Sequence, residues 1–352
     1  MTCAEDETSR IAAVLEEYGR NRKLKIRCTV CGVKMDLTEP FPFEIIQCPG
    51  CHSDICRPAF FGDYLLKENL PPQDPMTSMY LAVDLKLERD ILIRILNPSL
   101  AENRELTSLY LETARALAVF NHPSAVPIYN CGEIMGLFYI AARKTEGGTL
   151  EDLLNECGDK PFPESRAVSW MCQIVSALKR AGELKICHGN LSPCHLLPDG
   201  EEKILISGFG IGELGAAAGV PLSSPCSAPE SDLTVQRDVF NAGMIFFRLL
   251  AGRFPKPGER DLPKGVKLEN PAVSGLIRFM LDPDPRRRIT PANALAILEQ
   301  IENNIKTKGK RKKTEEGSPK RKLVLVLFLV LLVLLLLSGI AAGFVFLFPI
   351  NR

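Results

Sequence analysis

Net charge is almost absent from this chain. Its 43 lysines and arginines against 42 aspartates and glutamates leave +1 over 352 residues, so no global field draws in nucleic acid. A disulfide framework is absent too: the twelve cysteines are scattered outside one N-terminal cluster, and a reducing compartment with metal-bound thiolates is the simpler reading. Charge is missing altogether from Leu323 to Phe348. Twenty-six helical residues span about 39 Å, more than the roughly 30 Å of a hydrocarbon core. What remains, 46% apolar and 24% charged residues, fits a globular chain of two or more domains with one membrane segment.

The cluster is Cys28-Thr-Val-Cys31 and, sixteen residues on, Cys48-Pro-Gly-Cys51. Two such knuckles supply four thiolates, which close a tetrahedral zinc sphere and leave no open position, so Cys28, Cys31, Cys48 and Cys51 read as ligands of a structural zinc. Buried reduced cysteines or a redox pair are the blander alternatives. His52 and Cys56 lie close by but have four better ligands to compete with. The expected form is a zinc ribbon over 23–58, two β-hairpins on one ion, too small to fold without it. It lacks a run of bases and aromatics, so a protein contact is expected and nucleic acid is not, with a nucleic-acid sensor through the ribbon as a third, weaker reading. Before it, residues 1–22 hold a short helix, with Thr8 or Ser9 as cap and Ile11, Val14, Leu15 and Tyr18 as an apolar stripe.

The most informative stretch is HGNLSPCHLLPDGEEKILISGFG, His188 to Gly210. It resembles the catalytic loop of a bacterial-type Ser/Thr protein kinase, running on to the metal-binding strand. His188, Leu191, Pro193, Phe209 and Gly210 match the frame of that family. The resemblance implies a base aspartate where Asn190 stands, a metal-ligand asparagine where His195 stands and a metal-ligand aspartate where Gly208 stands. Phosphoryl transfer needs metals on the phosphates, a cationic grip and a carboxylate facing the attacking hydroxyl. Asparagine accepts no proton near neutrality, glycine offers Mg²⁺ no oxygen, and imidazole suits softer metals.

Upstream the resemblance continues. The family's glycine-rich turn falls on PPQDPMT, Pro71 to Thr77, which holds no glycine, and its prolines remove N–H donors. Arg94 stands at the phosphate-gripping lysine, a change that keeps charge but not geometry. The glutamate that pairs with that lysine falls on Thr113; the pair reads as lost unless Glu112, about 100° around the helix, swings in. Arg143 and Lys144 make the hinge unusually basic. The architectural positions are kept: Glu230 in Ala228-Pro229-Glu230, Asp238 of the buried central helix, and Arg288, which the family pairs with that glutamate.

The fold class that follows is α+β: a bilobal kinase-like domain over 62–303, preceded by the ribbon and followed by a basic juxtamembrane linker over 304–322, one transmembrane helix over 323–348 and a tail over 349–352. Nine basic residues against two acidic ones from Lys306 to Lys322 set the bulk of the chain toward the cytoplasm of a bacterial inner membrane, with anionic lipid as a contact. Gly339 and Gly343 offer a spacing for a homodimer, with chance placement as the alternative. Function reads as a membrane-anchored pseudokinase, a scaffold or regulator working through protein contacts, with zinc as cofactor and neither ATP nor Mg²⁺ expected. The competing reading is an atypical Ser/Thr kinase using Arg94 and an unassigned acid such as Asp199 or Glu201. Ser223, Ser224 and Ser227 lie where a switch segment would carry phosphate; His122, Cys187 and Cys194 read as packed residues.

Overall fold

The computed structural model describes residues 2–316. The expected transmembrane segment over 323–348 with Gly339 and Gly343, the expected tail and the end of the expected linker lie outside the described residues. Among the described residues no helix is long and apolar enough to cross a membrane.

Helix α1 (Thr2–Gly19) opens the chain. Thr8 and Ser9 therefore lie inside it and do not cap it. Buried Glu7 accepts from the Ser99 N–H (3.3 Å), a tertiary contact that no sequence periodicity displays. Two hairpins follow, β1 (Lys25–Arg27) with β2 (Lys34–Asp36), and β3 (Ile45–Gln47) with β4 (Asp54–Cys56). Their small core of Leu24, Cys28, Met35, Leu37 and Cys48 is extended by Phe60 and Leu65 of the next sheet.

That sheet has six strands: β5 (Ala59–Phe61), β6 (Tyr64–Leu70), β7 (Thr77–Asp84), β8 (Arg89–Leu96), β9 (Ile128–Ile134) and β10 (Leu137–Arg143), in the order β5-β6-β7-β8-β10-β9. All neighbours pair antiparallel. The sheet thus starts three residues before the expected boundary at 62. Burial alternates along β8 as far as its last residue: Ile91, Ile93 and Ile95 are buried and pack with Tyr80, Phe61 and the α1 residues Ile11 and Leu15. The α1 stripe is a packing face. Helices α2 (Pro98–Ala101) and α3 (Arg104–Val119) lie between β8 and β9 in sequence, and α3 is capped by Asn103, whose side chain accepts from the Glu105 and Leu106 N–H groups.

The helical half contains α4 (Leu150–Cys157), α5 (Glu164–Glu183), a 3₁₀ turn (Pro193–His195), the hairpin of β11 (Leu196–Asp199) and β12 (Lys203–Ile206), then α6 (Ile211–Ala218), α7 (Val235–Ala251), α8 (Ala272–Met280) and α9 (Pro291–Glu316). The central pair α5 and α7 is almost wholly buried on its inner faces, from Trp170 and Met171 to Phe246 and Phe247. Helix α9 passes through the expected boundary at 303, so 304–316 is helix and not free linker. Lysines and glutamates are good helix formers, and Lys306 pairs with Glu302 one turn back (3.0 Å).

Candidate functional site

The four cysteines converge as their spacing predicts. Each hairpin ends in a tight knuckle: Gly32 donates to Cys28 O (2.9 Å) and His52 to Cys48 O (2.9 Å). Both turning residues have positive φ, 76° and 59°, a region glycine enters freely and His52 tolerates. The four sulfurs lie within 4.8 Å of one another, with Cys28–Cys51 at 3.7 Å and Cys31–Cys48 at 3.6 Å. A tetrahedron with Zn–S bonds of about 2.3 Å has edges of about 3.8 Å, so the donor set fits zinc in number, softness and size. His52 is exposed and Cys56 points to Phe43 O; neither belongs to the cluster.

The second site lies between the sheet and the helical half. Its architectural residues hold one another. Asp238, fully buried in α7, accepts from the backbone N–H groups of His188 (2.7 Å) and Gly189 (2.8 Å). Burial pushes its carboxyl up to about 7, against the pull of those two donors. Arg288 grips Glu230 with both terminal nitrogens, Nη2 to Oε2 at 3.0 Å, and that pair outweighs the burial which would raise the Glu230 carboxyl, holding it below its usual range. Phe209 packs edge-on to Phe120 at 5.2 Å and tilted against His188 at 5.5 Å.

The chemical positions are filled differently. Arg94, on β8, forms a buried ion pair with Asp74 from the proline-bearing turn. Asp74 also accepts from the Met76 N–H (2.9 Å) and the Thr77 hydroxyl (2.8 Å). The same turn reaches the strand end beneath it: the Ser207 hydroxyl donates to the Gln73 side chain (3.2 Å). Glu112 does not approach Arg94; it accepts from Ser108 one turn back (2.8 Å) on the exposed side of α3. Thr113 instead faces Gly210, where an added Cβ would stand 2.5 Å from its methyl group. Asn190 donates its backbone N–H to His188 Nδ1 (3.3 Å). Asp199, one of the two candidate acids, sits in the β11–β12 hairpin, paired with Arg143 (3.1 Å) and Lys203 (3.6 Å); Glu201 is exposed in the turn that follows.

His195 and Gly208 are one unit. A Cβ on Gly208 would meet His195 Nδ1 at 2.9 Å, and φ there is +77°, so the imidazole fills the space an aspartate at 208 would need. His195 is wholly buried, packs against His188 at 4.9 Å and has no hydrogen-bond partner for either ring nitrogen among the described residues. Burial, with Arg94 nearby, drives it down to about 3: it is a neutral filler.

Helix α6 then closes the cleft. Its Ile211 and Leu214 pack with Leu106, Tyr110 and Ala114 of α3 and with Met76 and Ile140 of the sheet. The remaining cavity is apolar and measures about 80 Å³, whereas pockets that take cofactor-sized ligands run to about 300–1,000 Å³. Asp74 and α6 are the two site elements that reading the motifs misses. The one available signal for Asp74 is that PPQDPMT contains a single acid, twenty positions before the arginine it neutralises.

Residues 76–298 match the family model of the protein kinase domain. The serine/threonine-protein kinase PrkC of Bacillus subtilis (strain 168) is 29% identical over 256 residues, 66% of this chain and 38% of PrkC. The serine/threonine-protein kinase PknB of Mycobacterium leprae (strain TN) is 26% identical over 210 residues, 55% of this chain and 33% of PknB. This chain spans about a third to a half of such relatives. Among solved structures, the kinase domain of Mycobacterium tuberculosis PknI superposes with a TM-score of 0.56 at 18% identity, covering 68% of this chain and 97% of that one, a likeness of fold.

Proposed function

This chain belongs to the protein kinase domain family, and from that premise we propose that it is a pseudokinase, tethered to a membrane and acting through protein contacts as a scaffold or regulator. The observation that carries the reading is the seating of Asp74 on Arg94. In the family's chemistry that cation grips nucleotide phosphates; here a carboxylate of the chain itself has taken their place. Supporting it are Asn190, His195 and Gly208, which leave no base and no hard-metal ligand, and the small apolar cavity under the sheet. Four thiolates hold a structural zinc in this reading, and the uncharged run 323–348 behind its basic flank is the anchor, with the bulk of the chain on the cytoplasmic side. Dimerisation through Gly339 and Gly343 stays a proposal of the same rank.

The family itself favours a second reading, weak Ser/Thr kinase activity by an unconventional route. One experiment separates them. Membranes carrying the full chain are incubated with γ-labelled ATP and Mg²⁺, then washed in alkaline carbonate. We expect the chain to stay in the pellet and no label to enter it or an added protein acceptor. Label that disappears when a nearby carboxylate is changed would establish the second reading, and release of the chain by the wash would remove the tether.

A further inference from the structure

The first ribbon hairpin departs from the even charge balance of the chain. From Gly19 to Met35 there are six basic residues and no acid. Pairing of β1 with β2 sets Lys25 opposite Asp36, Ile26 opposite Met35 and Arg27 opposite Lys34. Opposite residues of such a pair share a face, and the face alternates along each strand. Met35 is buried and Ile26 packs on the small ribbon core, so Lys25, Arg27, Lys34 and Asp36 stand on the outer face, all exposed. Exposed Lys23 precedes them. No unbroken run of bases marks this surface, because in Lys23-Leu24-Lys25-Ile26-Arg27 they alternate with apolar residues and the pleat collects them.

Like charges placed directly opposite, as Arg27 and Lys34 are, cost stability. Asp36 offsets part of the charge of Lys25 and Lys23, but it is turned to Thr38, accepting from its N–H (3.1 Å) and its hydroxyl (2.5 Å). Among the described residues Lys23, Lys25, Arg27 and Lys34 form no ion pair. The end of the same hairpin is apolar. Val30 is 72% exposed and Val33 37%. Val33 lies against the second knuckle, where a Cβ added to Gly50 would stand 2.7 Å from its methyl group. With exposed Pro49, the two knuckles form a blunt apolar tip next to the basic face.

One environment satisfies both features: the boundary of an anionic bilayer, with headgroup phosphates at the bases and acyl chains at the valines. Nucleic acid would take the bases and leave the valines in water, and residues 19–35 hold no aromatic side chain on which a base could stack. We propose that the β1–β2 hairpin is a membrane-contact site, its valine tip among acyl chains and Arg27 and Lys34 on the phosphates of anionic lipid. The proposal rests on the reading of a tethered chain, which keeps the hairpin at a high local concentration of that surface.

The test uses the zinc-loaded full chain carrying Val30→Trp, in vesicles of phosphatidylcholine alone or mixed with phosphatidylglycerol. The one native tryptophan, Trp170, is buried and sets the background. We expect the emission to shift to the blue, and to be quenched by lipid brominated on its acyl chains, only where phosphatidylglycerol is present. Each base is worth about fivefold in partition to an anionic surface, so adding Arg27→Gln and Lys34→Gln should lower the ratio of docked to free hairpin roughly twentyfold. High salt should weaken docking without any substitution. All three substituted positions are exposed, and the zinc content of each variant checks that the ribbon has folded. Quenching that is absent, equal in the two vesicle types or unmoved by the double substitution overturns the proposal, as does an emission shift produced by an oligonucleotide and not by anionic lipid. Flotation of the unsubstituted chain with neutral vesicles after a carbonate wash reads the tether alone. A chain that floats there yet shows no quenching in anionic vesicles keeps the tether and overturns the hairpin contact.

Discussion

At the scale of single residues, the site is explained by two substitutions with their compensations. Arginine in place of the gripping lysine keeps a buried cation that must be neutralised, and Asp74 neutralises it. Glycine at 208 makes room for the ring of His195. The replacements at Asn190, His195 and Gly208 are legible in the sequence, because the family frame names the residue type that each position requires. The compensations are not, because a partner twenty positions away in a loop leaves no periodic trace. The buried histidine has a consequence for stability. Its folded pKa of about 3 lies below the unfolded value of about 6.5, so the unfolded state binds the extra proton between those limits. Stability contributed by the neutral ring is present above pH 6.5 and is lost as pH falls toward 3. By pH 5 the loss is about 2 kcal/mol. His195→Leu removes the titrating ring together with its unmet nitrogens, so denaturant unfolding of this variant should show a shallower fall between pH 7 and pH 5. A wild-type profile flat over that range would reject the assignment.

At the scale of elements, the ribbon was the most legible part of the chain, since four ligands at fixed spacing leave one economical arrangement and the hairpins only have to deliver it. The strands of the sheet and the place of the proline-bearing turn between β6 and β7 follow from alternation and from the family frame. The start of α1 escapes the capping rule, since the helix already begins at Thr2, upstream of Thr8 and Ser9. Helix α6 was not anticipated at all: its eight residues IGELGAAA hold two glycines, poor helix formers, and its order comes from Ile211 and Leu214 packing under α3. The ribbon's core is small, five buried residues, so in the zinc reading metal binding would carry its folding. Stoichiometric removal of zinc with a chelator should abolish the amide protection of residues 25–56 and restore it when zinc is added back, read by hydrogen exchange. Protection retained in a fully demetallated sample would reject the metal site.

At the scale of the whole molecule, a single logic joins these parts: the frame that positions a kinase's machinery is kept, with Asp238, Glu230 and Arg288 in their pairs, while the nucleotide space is filled from three sides by Asp74, His195 and α6. In the proposed reading, what the chain offers to others is then its surface. The central claim is that the cleft is already satisfied internally. The most direct measurement is thermal unfolding of the full chain with and without 5 mM ATP and excess Mg²⁺. A ligand present at a hundred times its Kd would add about 2.7 kcal/mol, a rise of several degrees for a domain of this size. The account predicts a midpoint unchanged by nucleotide and metal together. A reproducible, concentration-dependent rise that vanishes when Arg94 is replaced would contradict it.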